Sequence, residues 1–431
     1  MKQIYIFLFL FVCLFAYGQE NIYPAKENKG LIAITGATLH IGNGSVITNG
    51  TIIIKDSKIQ SAGVNVSIPS GAKNIIANGK HVYPGIIAMN TNLGLAGISS
   101  IRAESDHTEI GDMNPSVKSI SAYDAQSNVI PTVRSNGVLL AHVVPRGGTI
   151  SGTSSVVQLD AWDWRDAGYK VNNGIHLNIP ALINRPRGFA AFLNPNPPTD
   201  IIKNSLAKME EVRRFLREAK NYASLVNPVL NLKYDAVKGL FNRSQKLFIH
   251  ADLVKEIIMA LDLKAEFNLD IVIVGGADSW LISELLKEQN VPVILSEPHS
   301  LPSTADDAVD QPYKTGSLLA KAGVLFSIAI ENDHWQQRCI PFQAGTMAAY
   351  GLTKESALQA ITLDAAKILG IDSMTGSLEA GKDANIIISE GDILDMKSSK
   401  VTHAFIQGRQ ISLDNKHSQL FEKYKMKYGI K

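Results

Sequence analysis

From Lys246 to Asp333 the chain keeps a single rhythm, in which short apolar runs alternate with amphipathic stretches. "KLFIHAD" precedes "LVKEIIMALDLKAEFN", "LDIVIVGGAD" precedes "SWLISELLKEQN", and "VPVILSE" and "VLFSIAIEND" flank "SLLAKAG". Apolar runs this short, bounded by helical patterns, imply parallel strands covered by helices. In such sheets, and in barrels especially, chemistry gathers just past each strand's carboxyl end. His250, Asp278, Glu297 and Asp333 hold positions of that kind.

The two ends of the chain read differently. From Leu31 to Tyr83 short β-like runs ("LIAITGATLH", "GTIIIKD", "KIQSAG") alternate with Asn-Gly, Gly-Asn and Asp-Ser turn signals. The style resumes in "GSLEAGKDANIIISEG" and "VTHAFIQGRQIS", between Gly376 and Ser412. Two such segments flanking a long interior suggest one small β-domain assembled from both ends, against the alternative of independent domains in tandem. The expected boundaries are 30–84 with 376–412 for that domain, 85–375 for the α/β interior and 413–431 for a tail. A length of 431 residues accommodates a barrel of about 250 plus a small second domain.

The interior's first half is less periodic. "PRGGTISGTSSVVQLDAWDW", Pro145 to Trp164, is rich in Gly, Ser and Thr and reads either as a tight loop or as a loop wrapping a ligand; it carries no GxGxxG and no P-loop lysine. Ile201 to Asn221 reads as an amphipathic helix with Leu206, Met209, Val212 and Leu216 on one side. With the neighbouring "NPNPPTD" it is either a lid insertion near 190–245 or a plain surface helix. In "HVYPGIIAMNTNLG", an apolar run closes on Asn90 and Asn92, an i, i+2 pair.

The first residues, "MKQIYIFLFLFVCLFAYGQ", pair a basic Lys2 with an apolar run from Ile4 to Ala16 and small residues Ala16 and Gly18. This is the pattern of a cleaved secretory signal, residues 1–18, and the run is shorter than the roughly 20 residues that span a bilayer. The expectation is export to the periplasm or outside the cell, with no membrane attachment after cleavage. Cys13 leaves with the signal, so Cys339 stands alone and no intrachain disulfide is expected. Lys and Arg number 42 against 40 Asp and Glu, which gives no bulk charge for binding nucleic acid.

The "GKHVYPG" junction, the closing "ALQAITLDAAKILGI…TGSLEAGKDANIII" and the β–α/β–β order together resemble the amidohydrolase superfamily, and within it the imidazolonepropionase-like branch. The resemblance runs from about Leu31 to Ser412. It implies a (β/α)8 TIM-like barrel with a small β-sandwich domain from both chain ends, and a divalent metal such as zinc that activates water against an amide or lactam carbon. Zinc lowers the pKa of its bound water to about 7 and takes imidazole nitrogen and carboxylate oxygen.

Carried across residue by residue, the family's first-strand HxH pair falls on Asn90 and Asn92, its fifth-strand histidine on His250 and its sixth-strand histidine on Gly275. The eighth-strand aspartate falls on Asp333, with Glu331 also available. The resemblance thus implies His250 and Asp333 as metal ligands and catalytic groups, and Asn90, Asn92 and Glu297 as contacts to substrate. Neutral amides are poor zinc ligands, so it also implies a metal weakly bound or absent, unless His142, His299 or His334 substitutes. Two functions follow. One is an exported hydrolase of carbon–nitrogen bonds in small amides, cyclic amides or dipeptides. The other is a catalytically silent protein of the same fold that binds an amide-like ligand or partners an active paralogue.

Overall fold

The computed structural model describes residues 23–97, 101–183, 200–303, 306–331 and 334–430. The signal-like stretch and Asp333 lie outside the described residues.

Five strands open the chain: β1 (Leu31–His40), β2 (Val46–Lys55), β3 (Lys58–Gly63), β4 (Lys73–Ile76) and β5 (His81–Pro84). Eight more follow in the interior: β6 (Ile86–Thr91), β7 (Val138–Val143), β8 (Ile150–Gln158), β9 (Gly168–Asn178), β10 (Lys246–Ala251), β11 (Ile271–Gly275), β12 (Val293–Leu295) and β13 (Phe326–Ile328). The last three, β14 (Ile386–Ser389), β15 (Val401–Ile406) and β16 (Arg409–Gln410), rejoin the first five in one sheet, where β14 pairs antiparallel with β5.

Period-two alternation explains why three isoleucines, Ile386 to Ile388, follow one another. Ile386 and Ile388 face the second sheet's own core with Ile34, Ile52, Val82 and Phe405, while Ile387 turns the other way and joins Tyr83, Ala404 and Ile406 in the barrel core. A strand buried on both faces shows no polar alternation.

The interior strands pair in chain order from β6 to β13, and a parallel bridge between Met89 and Ala329 brings the two edges together. This is the eight-stranded barrel with a second sheet expected from the sequence. One strand departs from the all-parallel pattern: β8 runs antiparallel to both β7 and β9. The segments joining it to its neighbours, 144–149 and 159–167, are shorter than the dozen or more residues a parallel crossover needs. The Gly/Ser/Thr-rich stretch is therefore a buried strand rather than a loop, with all nine residues of β8 inside.

Ile201–Ser224 is a helix on the crossover from β9 to β10. Its Met209, Val212, Phe215, Leu216 and Ala219 belong to the barrel core, whereas Leu206 is about half exposed. The helix covers the barrel wall and does not stand apart from it as a lid. The tail holds a helix at Lys416–Lys427 with no buried residue.

Candidate active site

At the carboxyl end of β6 the backbone leaves extended geometry. Asn90 has φ +48°, in the left-handed region that asparagine tolerates better than most residues, and the pairing with β7 slips between Ala88 and Thr91. The alternation that would aim Asn90 and Asn92 at one ion is interrupted there, and Asn92 lies past the strand's end. Asn90 is held from three sides. Its carbonyl accepts from Arg146 Nη2 at 3.1 Å, its side-chain Nδ2 donates to Glu331 Oε1 at 2.8 Å, and its neighbour Met89 bridges to Ala329.

Glu331 is the carboxylate that the described structure brings to this position. It follows β13, and its Oε1 also accepts from Ser296 Oγ at 2.8 Å, while its backbone N–H donates to Glu297 Oε1 at 3.0 Å. Ser296 and Glu297 sit just past the end of β12, so three strand ends, those of β6, β12 and β13, meet at Glu331, and its charge also favours the protonated form of His250 on β10. Burial outweighs that pull and lowers the His250 pKa to about 4, leaving a neutral imidazole at physiological pH.

Behind His250 lie two more imidazoles. His176 Nδ1 is 3.0 Å from His250 Nε2, and the His142 and His176 rings are 5.4 Å apart. His142 Nε2 pairs with Ser154 Oγ of β8 at 2.9 Å, and Ser154 reaches on to Asn173 Oδ1 at 3.1 Å. Burial pushes the His142 pKa down to about 3 and that of His176 well down, with the charge of His250 adding to both. Several buried atoms here have no hydrogen-bond partner among the described residues: Asn90 Oδ1, Asn92 Oδ1, His142 Nδ1, His176 Nε2 and Arg146 Nε.

The other residues singled out by the sequence have different places. Asp278 Oδ2 accepts from the backbone N–H of Val254, at the first turn of the helix Val254–Phe267, where a carboxylate offsets the helix dipole. Gly275 has φ +98°, where any side chain is strained, and a Cβ there would stand 2.5 Å from Asp252 Oδ1, so the backbone at the end of β11 favours glycine. His299 is exposed and pairs with Thr346 Oγ1 at 2.6 Å. His334 is buried at the start of the 3-10 helix His334–Cys339. Cys339 is a partly exposed free thiol.

The C-terminal part of the chain matches a known family. Residues 279–411 match the model of the amidohydrolase family. The chain carries an amidohydrolase family domain. Among solved structures it is similar to an amidohydrolase from Thermotoga maritima MSB8, with a TM-score of 0.77 and 22% identity over 88% of this chain and 99% of that one. It is also similar to a Xaa-Pro dipeptidase with bound methionine in its active site, with a TM-score of 0.54 and 16% identity over 89% and 100% of the two chains. At these identities the likeness is one of fold. A curated relative, the amidohydrolase tasK of Hapsidospora irregularis, is 20% identical over 404 residues; the match takes in 88% of this chain and 41% of that protein.

Amidohydrolases generally use a divalent metal ion. A catalytic zinc takes three protein ligands. Among the described residues no three His, Cys, Asp or Glu side chains are grouped to hold a metal ion, His250 Nε2 is in contact with His176, and Asn90 turns its amide N–H toward Glu331. The described donors by themselves do not fit that ligand set.

Proposed function

We propose that this chain is an exported hydrolase of carbon–nitrogen bonds in small amides, cyclic amides or dipeptides, acting at the carboxyl-end mouth of its barrel with an altered metal site. The reading is supported chiefly by Glu331, whose Oε1 is fixed by Asn90 and Ser296 from two other strand ends and whose charge reaches His250. A carboxylate held by two donors is oriented before substrate arrives, which is what a general base needs.

In this mechanism Glu331 takes a proton from water as the oxygen attacks the amide carbon. The carbon–nitrogen bond then breaks, and the proton passes to the leaving amine. His250, neutral because it is buried, donates a hydrogen bond to the developing oxyanion. Asn90, Asn92 and Glu297 border the substrate. Asp333, two residues beyond Glu331 in the sequence, is the second carboxylate to test beside it. The Xaa-Pro dipeptidase of similar fold makes dipeptides part of the substrate range to test.

One observation favours the second reading, a silent ligand-binding protein or partner of an active paralogue: the described donors fall short of three metal ligands. The two are separated by assaying purified protein against small amides, lactams and Xaa-Pro dipeptides, as purified and with zinc added, beside metal analysis of the same samples. Turnover abolished by Glu331→Gln is the expected result. No turnover of any substrate in either condition, with the protein folded, supports the silent reading.

A further inference from the structure

The charged group that this mechanism leaves unused is Arg146. It follows β7 at the mouth, and its backbone is clamped to the long β6–β7 connection, with its N–H donating to the His107 carbonyl at 2.6 Å and a parallel bridge to Thr108. The loop bends away through Gly147 and Gly148, both at positive φ. One guanidinium nitrogen, Nη2, is anchored on the Asn90 carbonyl. Nε is buried with no partner, and among the described residues no carboxylate lies within ion-pair distance of the side chain. The arginines that are buried elsewhere are paired: Arg134 and Arg409 both meet Asp160.

A partly buried guanidinium without an anion is costly to retain, and its fork of donors matches a carboxylate. Its position is suited to substrate. Arg146 bridges the end of β6, through Asn90, and the β6–β7 connection, through His107 and Thr108. Its neighbour Pro145 and its backbone partner His107 line a cavity of about 960 Å³ bordered by Arg102, Asp106, Lys118 and Ser119, while its own guanidinium reaches Asn90 at the end of β6.

We propose that Arg146 is a specificity-determining residue that binds a carboxylate on the ligand, so that the preferred ligand is a small amide bearing a free carboxylate close to the amide group. This rests on the mouth being the ligand site, as proposed above, but not on turnover.

The test is calorimetric binding of N-acetyl-L-alanine and of its neutral isostere N-acetyl-L-alanine amide to the full-length mature protein at low salt. Wild type should bind the carboxylate at least about tenfold more tightly, as for a charge-assisted pair. Arg146→Met should bring the two within about twofold, and Arg146→Lys, which keeps the charge but not the fork, should fall between. Circular dichroism melts establish that the variants are folded, and the wild-type comparison is decisive without them. Equal binding of the two probes, binding of neither at millimolar concentration, or a preference that survives in folded Arg146→Met would overturn the proposal. A carboxylate preference without hydrolysis leaves this inference standing and removes the hydrolase reading; hydrolysis of neutral amides without the preference does the reverse.

Discussion

Two buried polar clusters sit at opposite ends of the barrel, and they are satisfied to different degrees. At the amino-end floor, Asp160 receives Arg134 on one oxygen and the Ala25 N–H and Arg409 on the other, while Arg134 and Arg409 also donate to the carbonyls of Leu159 and Asp160. Among the described residues only Arg134 Nε of this cluster is left over. At the mouth Asn90, Asn92, His142, His176 and Arg146 each keep a buried polar atom without a partner among the described residues. A cluster that ties the N-terminal segment, the barrel and β16 together through matched charges is a structural fastening. A cluster that keeps donors and acceptors unmatched is poised for something the folded chain does not itself supply.

The largest effect that would sharpen this contrast is expected at the floor. Asp160→Ala leaves two buried guanidinium groups unpaired and should destabilise the protein by about 3–5 kcal/mol. Urea denaturation measures it, and a change below about 1 kcal/mol would break the comparison.

The next effect is a pH dependence set at the mouth. His142, His176 and His250 have folded pKa values depressed below the ordinary 6.5, so the unfolded chain takes up protons first as the pH falls. Their neutral burial is fully compatible with stability above pH about 6.5, and stability is lost as pH drops from there toward 4, by at most about 1.4 kcal/mol per pH unit for each imidazole. Melting curves between those limits should show the slope, and His142→Leu should make it shallower. A profile flat from neutral pH to about 4 would contradict the burial assigned to them.

The smallest effect is at Asn92. Its Oδ1 is buried without a donor, so Asn92→Ala removes a group that costs desolvation and returns no hydrogen bond. Stability should change by less than about 1 kcal/mol, in either direction. A loss of several kcal/mol would mean that the mouth is fastened like the floor.

The sequence made some of this site legible and concealed the rest for physical reasons. His250 and Glu297 could be located because each closes a short apolar run, the signature of a parallel strand ending at the mouth. Glu331 stood beside Asp333 as an alternative, and it is Glu331 whose partners, Asn90 and Ser296, the described structure provides. His142 is named by the sequence only as a possible substitute ligand, and Arg146 and His176 carry no signal in it. They lie around β8, where buried Ser, Thr and Gly replace the usual Val, Ile and Leu, because Ser154 and Ser155 hydrogen-bond to His142, Asn173 and Asn172. A strand that satisfies buried polar neighbours reads as a polar loop. The left-handed turn at Asn90 is a further feature that i, i+2 spacing does not reveal.

The measurement that tests the central claim most directly is Glu331→Gln, with denaturation and amide hydrolysis followed on the same preparation. The substitution keeps the shape of the side chain and one acceptor for Asn90 and Ser296 while removing the base. If the mouth is a site for chemistry, hydrolysis should fall by about 10²–10⁴-fold, as for loss of a general base, with stability within about 1 kcal/mol of wild type. Retention of wild-type hydrolysis by the folded variant would contradict the account.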